Sequence, residues 1–233
     1  MEKKVCVIIG VGPGNGAAFA TRFSKEGYHL ALLARSSDLI NHLAKELGNA
    51  NAYECDVSNE DSIHKTCNKI KQELGRVDVV IYNAGSGSWG NIEEINPQNF
   101  ELNWRVNTFG LMLMSQHVIP IMKKEGTGSI IVIGATASRR GGIKTASFAP
   151  AKAAQRCLAE SMAKYLGPFG IHVALIIIDG VVGLPKTRER MPDKPDNFFV
   201  KPEDVANNVF WLTQQSPSTW SFEVEIRPFG EVW

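Results

Sequence analysis

The chain has 233 residues, 44% of them hydrophobic, and a formal net charge of +1. That length suffices for one α/β domain with a full core, and the charge gives no electrostatic case for a nucleic-acid or membrane-surface partner. Four scattered cysteines, Cys6, Cys55, Cys67 and Cys157, contain no C-x-x-C pair; they read as reduced thiols of a cytoplasmic protein, not as a disulfide frame or a zinc site.

The apolar run Val5-Cys6-Val7-Ile8-Ile9 has the character of a buried parallel strand. Glycines and a proline cut it too early for a leader peptide, and no segment is long and apolar enough to span a bilayer. Gly10-Val11-Gly12-Pro13-Gly14-Asn15-Gly16 follows, then a helical pattern with Phe19 and Phe23 four apart on one face. A second apolar run, Tyr28 to Ala34, ends at Arg35. Strand, glycine turn, helix and strand make a mononucleotide-binding layout. The glycines let backbone approach a diphosphate, and the helix start offers unpaired N–H groups and the positive end of its dipole. Taken alone, the glycines also fit a turn that merely joins strand to helix.

Strand and helix patterns then alternate to the end of the chain. Ser37-Asp38 opens a helix to Leu47, and Ala52 to Cys55 forms a third strand. Ser58-Asn59-Glu60-Asp61 caps a helix to Leu74, stopped by Gly75, and Val77 to Tyr82 is the fourth strand. Pro97 starts a helix predicted to run unbroken to about Lys124, with Leu102, Val106, Phe109 and Leu113 at core spacing. Ser129 to Ile133, a helix over Ala151 to Leu166, and Ile171 to Ile178 follow. Lys201-Pro202-Glu203-Asp204 opens a last helix, and Phe222 to Ile226 alternates as a seventh strand. No linker or repeat interrupts residues 1–233, so one domain is expected. Right-handed β-α units predict a doubly wound parallel sheet of about seven strands, helices on both faces, and ligands at the strands' carboxyl ends.

The spacing G-x-x-x-G-x-G at Gly10, Gly14 and Gly16 resembles that of the short-chain dehydrogenase/reductase family. Asp56-Val57 after the third strand is similar to the family's adenine-contact pair. Asn83-Ala84-Gly85 after the fourth matches the core of its Asn-Asn-Ala-Gly motif, with Tyr82 at the first Asn. Asn107 falls where the family places its active-site Asn. The resemblance covers nearly the whole chain. It implies a Rossmann-type fold, an NAD(P)-dependent oxidoreductase acting on a small carbonyl or alcohol, and a homodimer or homotetramer. Where a strict NAD binder carries an acid, the second strand ends Ala34-Arg35-Ser36. Arg35 can pair with a 2′-phosphate that a carboxylate would repel, which favours NADP(H) over NAD(H). An ordinary solvated arginine is the competing reading, and Pro13 stands where NADP-preferring relatives often carry a base.

The resemblance fails at the chemistry. The family's Tyr-x-x-x-Lys places its lysine at Lys152, but its tyrosine at Phe148, and its serine, thirteen residues earlier, at Ala135. General acid–base catalysis is worth about 10² to 10⁴ in rate, and one oxyanion donor about 10² to 10³. A weak enzyme is therefore expected unless other groups substitute, and a cofactor sensor or partner subunit without turnover is the alternative. Thr136, Ser138, Thr145, Ser147, Ser86, Ser88 and Tyr82 are nearby hydroxyls that also fit turns or caps. A relay through Lys152, Asn107 and water is a further option, and in the family Lys152's counterpart also holds the nicotinamide ribose. After the sixth strand, Asp179-Gly180-Val181-Val182-Gly183-Leu184 keeps the motif's glycine and apolar positions at Gly180 and Val182, but has Leu184 where a threonine is usual. Asp179 fits a turn or a carboxylate facing the pocket. Residues 185–200 correspond to the family's substrate lid. Phe198-Phe199 fits an anchor or an apolar substrate contact, and Trp89 a pocket wall. Trp220, Phe222, Phe229 and Trp233 fit core packing or a subunit interface.

Overall fold

The computed structural model describes residues 3–231. Its elements run β1 (Val5–Ile9), α1 (Asn15–Lys25), β2 (His29–Ala34), α2 (Ser37–Leu47), β3 (Ala50–Glu54), α3 (Glu60–Leu74), β4 (Val79–Tyr82) and α4 (Pro97–Trp104). After a π-helical turn, Arg105–Phe109, come α5 (Gly110–Glu125), β5 (Gly128–Ala135), α6 (Phe148–Leu166) and β6 (Ile171–Ile178). The short β7 (Val181–Val182), α7 (Pro185–Arg190) and β8 (Phe199–Val200) precede α8 (Pro202–Thr213) and β9 (Glu223–Ile226). The main sheet is ordered β3-β2-β1-β4-β5-β6-β9, and every pairing in it is parallel. This is a single-domain, doubly wound α/β fold. The strand order reverses between β1 and β4, which opens a crevice at their carboxyl ends.

Strand alternation divides the core. Val5, Val7 and Ile9 turn to one face and pack with side chains of α3, α5 and α6. Cys6 and Ile8 turn to the other, with Phe19 and Phe23 of α1 and Val205, Val209 and Leu212 of α8. Both aromatics of α1 are fully buried, and Phe23 meets Tyr28 and Phe210 edge-on at 5.2 and 5.4 Å. The start of α1, and with it the glycine turn, is thus fixed by one apolar face.

The helix expected from Pro97 to Lys124 is broken by the π-helical turn. Asn107 Nδ2 donates to the Asn103 carbonyl at 2.8 Å, and Tyr82 Oη donates to the Val106 carbonyl at 2.5 Å. Side chains thereby take acceptors that the regular ladder would use, and one extra residue is accommodated. The core spacing fails with it. Leu102 is 40% exposed, whereas Val106 and Leu113 are buried. Residues 181–200 are more ordered than a plain loop: Val181 pairs with Phe199 and Val182 with Val200. Phe199 is buried, so it anchors this segment, and Phe198 packs edge-on against it.

Phe23→Ala should remove about 3–5 kcal/mol of stability, since it empties a site between α1, β2 and α8. Urea denaturation followed by circular dichroism measures it.

Candidate active site

The glycine turn crosses the crevice between β1 and β4. Gly10 has φ +88°, and a Cβ there would lie 2.4 Å from the Ala84 amide nitrogen. A Cβ on Gly16 would lie 2.6 Å from Val11 Cα, whereas Gly12 faces open space. Asn83 locks the junction, donating from its amide N–H to the Ile9 carbonyl at 2.9 Å and from Nδ2 to the Gly10 carbonyl at 2.7 Å. Gly14, Asn15 and Gly16 form the start of α1, which has no side-chain cap and no acid in its first turn. Its first-turn amides therefore keep the positive end of the helix bare of any carboxylate.

Beside this turn lies a cavity of about 450 Å³. Gly10, Gly12 and Pro13 form its floor, Arg35 and Ser36 one end, and Asp56, Val57, Asn83, Ala84 and Gly85 the remaining wall. Arg35 is exposed, and no carboxylate pairs with it among the described residues. Asp56 holds a turn: its Oδ1 accepts from the Ser58 amide at 2.9 Å and the Ser58 hydroxyl at 2.7 Å. Gly180 and Val182 lie outside this wall; Gly180 packs on Pro228 and Val200. Leu184 reaches across, its Cδ2 2.1 Å from where a Cβ on Gly14 would stand.

Asn107, Phe148, Lys152 and Ala135 gather at the carboxyl ends of β4 and β5. Lys152 is buried. Its Nζ donates to the Ile133 carbonyl at 2.9 Å and to Gln155 Oε1 at 2.9 Å. Gln155 Nε2 in turn donates to the Asn107 carbonyl at 2.8 Å. Asn107 Nδ2 also reaches the Ser86 carbonyl at 2.7 Å, while its Oδ1 is buried without a partner. Burial alone pushes Lys152 down from the ordinary 10.5 to about 7. Phe148 begins α6; its ring lies 5.3 Å from that of Trp89 and 6.0 Å from Lys152 Nζ. Trp89 is 68% exposed, and a bridge between Gly90 and Thr145 joins its loop to the one before α6.

The neighbouring hydroxyls are engaged in structure. Ser147 Oγ accepts from Asn103 Nδ2 at 2.6 Å, Ser138 Oγ from the Ala135 amide at 3.2 Å, and Thr145 Oγ1 from the Gly142 amide at 2.7 Å. Thr136 Oγ1 donates to Asp179 Oδ1, whose other oxygen meets Arg227 at 3.3 Å. Burial raises the Tyr82 phenol well above its usual range. Sequence reasoning missed Gln155 and Asn103. Their only signal was polarity at core positions, three residues after Lys152 and four before Asn107. Among the described residues no cluster of His, Cys, Asp or Glu is arranged for a metal. The four cysteines are free thiols, and no helix is long and apolar enough to cross a membrane.

Residues 4–193 match the family model described as short chain dehydrogenase. The chain belongs to that family. Members are oxidoreductases that bind NAD(P), and the parallel sheet and switch-point crevice are their fold. The chain is 28% identical over 236 residues to 7alpha-hydroxysteroid dehydrogenase of Escherichia coli (strain K12), covering 96% of this chain and 92% of that one. A short-chain dehydrogenase from Rhodopseudomonas palustris superposes with a TM-score of 0.84 at 31% identity, over 97% of this chain and 99% of the other. A metagenomic short-chain oxidoreductase in complex with NADP gives a TM-score of 0.84 at 26% identity, over 97% and 96% of the two chains.

The depressed Lys152 has a thermodynamic consequence. Between its folded value near 7 and its ordinary 10.5, the unfolded chain holds a proton that the folded one lacks, so Lys152 makes stability rise with pH across that window. Below it the penalty is fully present. Relative to Lys152→Met, the wild type should gain on the order of 3 kcal/mol from pH 7 to pH 10. Parallel urea titrations measure the difference, which isolates Lys152 from the buried cysteines and tyrosines whose raised values act in the opposite sense.

Proposed function

We propose that this protein is an NADP(H)-preferring oxidoreductase of the short-chain type, acting on a small carbonyl or alcohol with an incomplete catalytic set. The observation that carries the reading is the cavity at the glycine turn, whose far end presents Arg35 and Ser36 where a carboxylate would exclude a 2′-phosphate. The residues fit the cofactor. A side chain at Gly10 or Gly16 would collide with backbone, Gly12 leaves open space above it, and no acid opposes a diphosphate at the start of α1. The metagenomic relative's complex with NADP is in keeping with this.

In this reading Gly10, Gly14, Asn15 and Gly16 carry the diphosphate, Arg35 and Ser36 the 2′-phosphate, and Asp56 and Val57 the adenine. Asn83, Ala84 and Gly85 shape the middle of the groove. Gly180 and Val182 support the nicotinamide end, and Lys152 holds its ribose. The bound cofactor supplies or accepts a hydride. Asn107 orients the inner wall through its bonds to Ser86 and Asn103. Phe148 has no proton to give, and Ala135 has no donor for a substrate oxygen. A cytoplasmic homodimer or homotetramer belongs to the same reading, supported by the exposed Phe100, Leu102 and Trp104 on α4.

Arg35→Ala should weaken NADPH binding roughly 10- to 100-fold, the worth of a charge-assisted pair, and leave NADH within about twofold. Energy transfer from the tryptophans to the bound nicotinamide measures both; equal losses for the two coenzymes would refute the preference. Restoring the missing groups with Phe148→Tyr and Ala135→Ser together should raise carbonyl reduction at least about tenfold. An NADPH-oxidation assay over a panel of aldehydes and ketones reads the gain, and no gain anywhere on the panel counts against a hydride-transfer geometry.

A further inference from the structure

The segment after β6 folds back onto the glycine turn. Leu184 Cδ2 lies inside the space that a Cβ on Gly14 would need, with Cγ 3.4 Å and Cδ1 3.7 Å from that point. The isobutyl group is therefore in van der Waals contact with backbone at the start of α1. Gly14 beneath it is buried, whereas Pro13 is exposed. The backbone under Leu184 is fixed from two sides. Val181 and Val182 pair with Phe199 and Val200, and the Gly183 amide donates to the Val200 carbonyl at 2.9 Å. On the other side the Leu184 carbonyl accepts from the Thr187 and Arg188 amides of α7 at 3.0 and 2.9 Å. Arg188 ties α7 back, its guanidinium 4.6 Å over the Phe199 ring and bonded to Asp196 Oδ1 at 2.5 Å. The cavity beside the glycine turn stops short of this contact. Its lining includes Arg35, Asp56, Gly12 and Pro13, but neither Gly14, Leu184, Val182 nor Lys152.

We propose that Leu184 gates the nicotinamide half of the groove. The protein recognises the adenosine 2′-phosphate half of its ligand first, and a whole dinucleotide binds fully only when the Leu184 side chain leaves Gly14. The proposal rests on the cofactor reading above. A diphosphate carried by Gly14, Asn15 and Gly16 needs the space within hydrogen-bond reach of their amides. An isobutyl group against Gly14 fills part of that space and offers a phosphate oxygen no donor. A ligand that stops at its first phosphate needs only the cavity from Arg35 to Gly12. What holds Leu184 down is apolar contact, which has no polar partner to lose on opening. Because its backbone is held on both sides, the gate opens by side-chain rotation while α7 stays in place. The gate lowers the affinity of a dinucleotide by the fraction of molecules that are open, and it leaves an adenosine bisphosphate untouched.

Titration calorimetry of wild type and Leu184→Ala, with NADPH and with adenosine 2′,5′-bisphosphate, separates the two halves of the groove. In wild type the bisphosphate should bind at least about one-fifth as tightly as NADPH, since the nicotinamide half adds little while the gate is shut. NADPH favoured by more than that overturns the gate without recourse to the variant. Leu184→Ala should tighten NADPH about tenfold, the order of one lost apolar contact, and leave the bisphosphate within about twofold. The retained bisphosphate affinity shows at the same time that the variant is folded. Affinities that change equally for the two ligands, that do not change, or that change only for the bisphosphate overturn the gate and leave the cofactor reading standing. Wild type that binds neither ligand sinks the cofactor reading and this inference together.

Discussion

The structure depends on how closely β1 and β4 approach at their carboxyl ends. Gly10 lies so near the Ala84 backbone that no side chain fits between them, and Asn83 closes the gap with two hydrogen bonds to Ile9 and Gly10. The contact sits where the strand order reverses. It therefore fixes both the direction in which α1 leaves the sheet and the depth of the crevice beside it. The buried face of Phe19 and Phe23 holds α1 from the opposite side. A bare helix start over an open Gly12 then follows from packing.

A second constraint is the π-helical turn. The Asn107 carbonyl lies in this turn. Within the turn at 105–109 it also accepts from Gln155, while the Asn107 side chain reaches the Asn103 and Ser86 carbonyls. Tyr82, fully buried, holds the turn from β4 through the Val106 carbonyl. One irregular turn thus links the end of β4, the loop carrying Ser86 and the lysine of α6. Such turns concentrate at functional sites because they redirect backbone groups that regular helices use up.

The centre of the main sheet was legible in the sequence because β1, β2, β4, β5 and β6 are apolar runs between strong stops, as with Ile171 to Ile178 before Asp179, and the edge strand β9 by its alternation. The glycine spacing and Arg35 were legible for the same reason: each is a local signal with a local cause. The π-helical turn was not. It is held by the Asn107 side chain and by Tyr82, whose bond to the Val106 carbonyl depends on tertiary placement, and the periodicity of Val106 and Leu113 reads as ordinary helix. Gln155 was equally silent, a polar residue on a helix face with no motif around it. The pairing of Val181-Val182 with Phe199-Val200 was hidden because two-residue strands carry no alternation.

The hydroxyls near Phe148 share one feature that bears on the chemistry. Ser147 accepts from the buried Asn103 amide, Ser138 from the half-buried Ala135 amide, and Thr136 donates to a carboxylate already held by Arg227. Turning Ser147 toward a substrate would strand the buried Asn103 amide away from water, at about 1–3 kcal/mol. Lys152 differs in kind: two of its N–H positions are satisfied by the Ile133 carbonyl and Gln155, and its cost is desolvation, which pushes its pKa down. The neutrality of its partners matters as much as their geometry. A carboxylate in place of Gln155 would hold the ammonium proton tightly, and an apolar residue would leave an N–H unpaired. An amide anchored to a backbone carbonyl does neither, and it keeps a buried amine with its two protonation states close in energy.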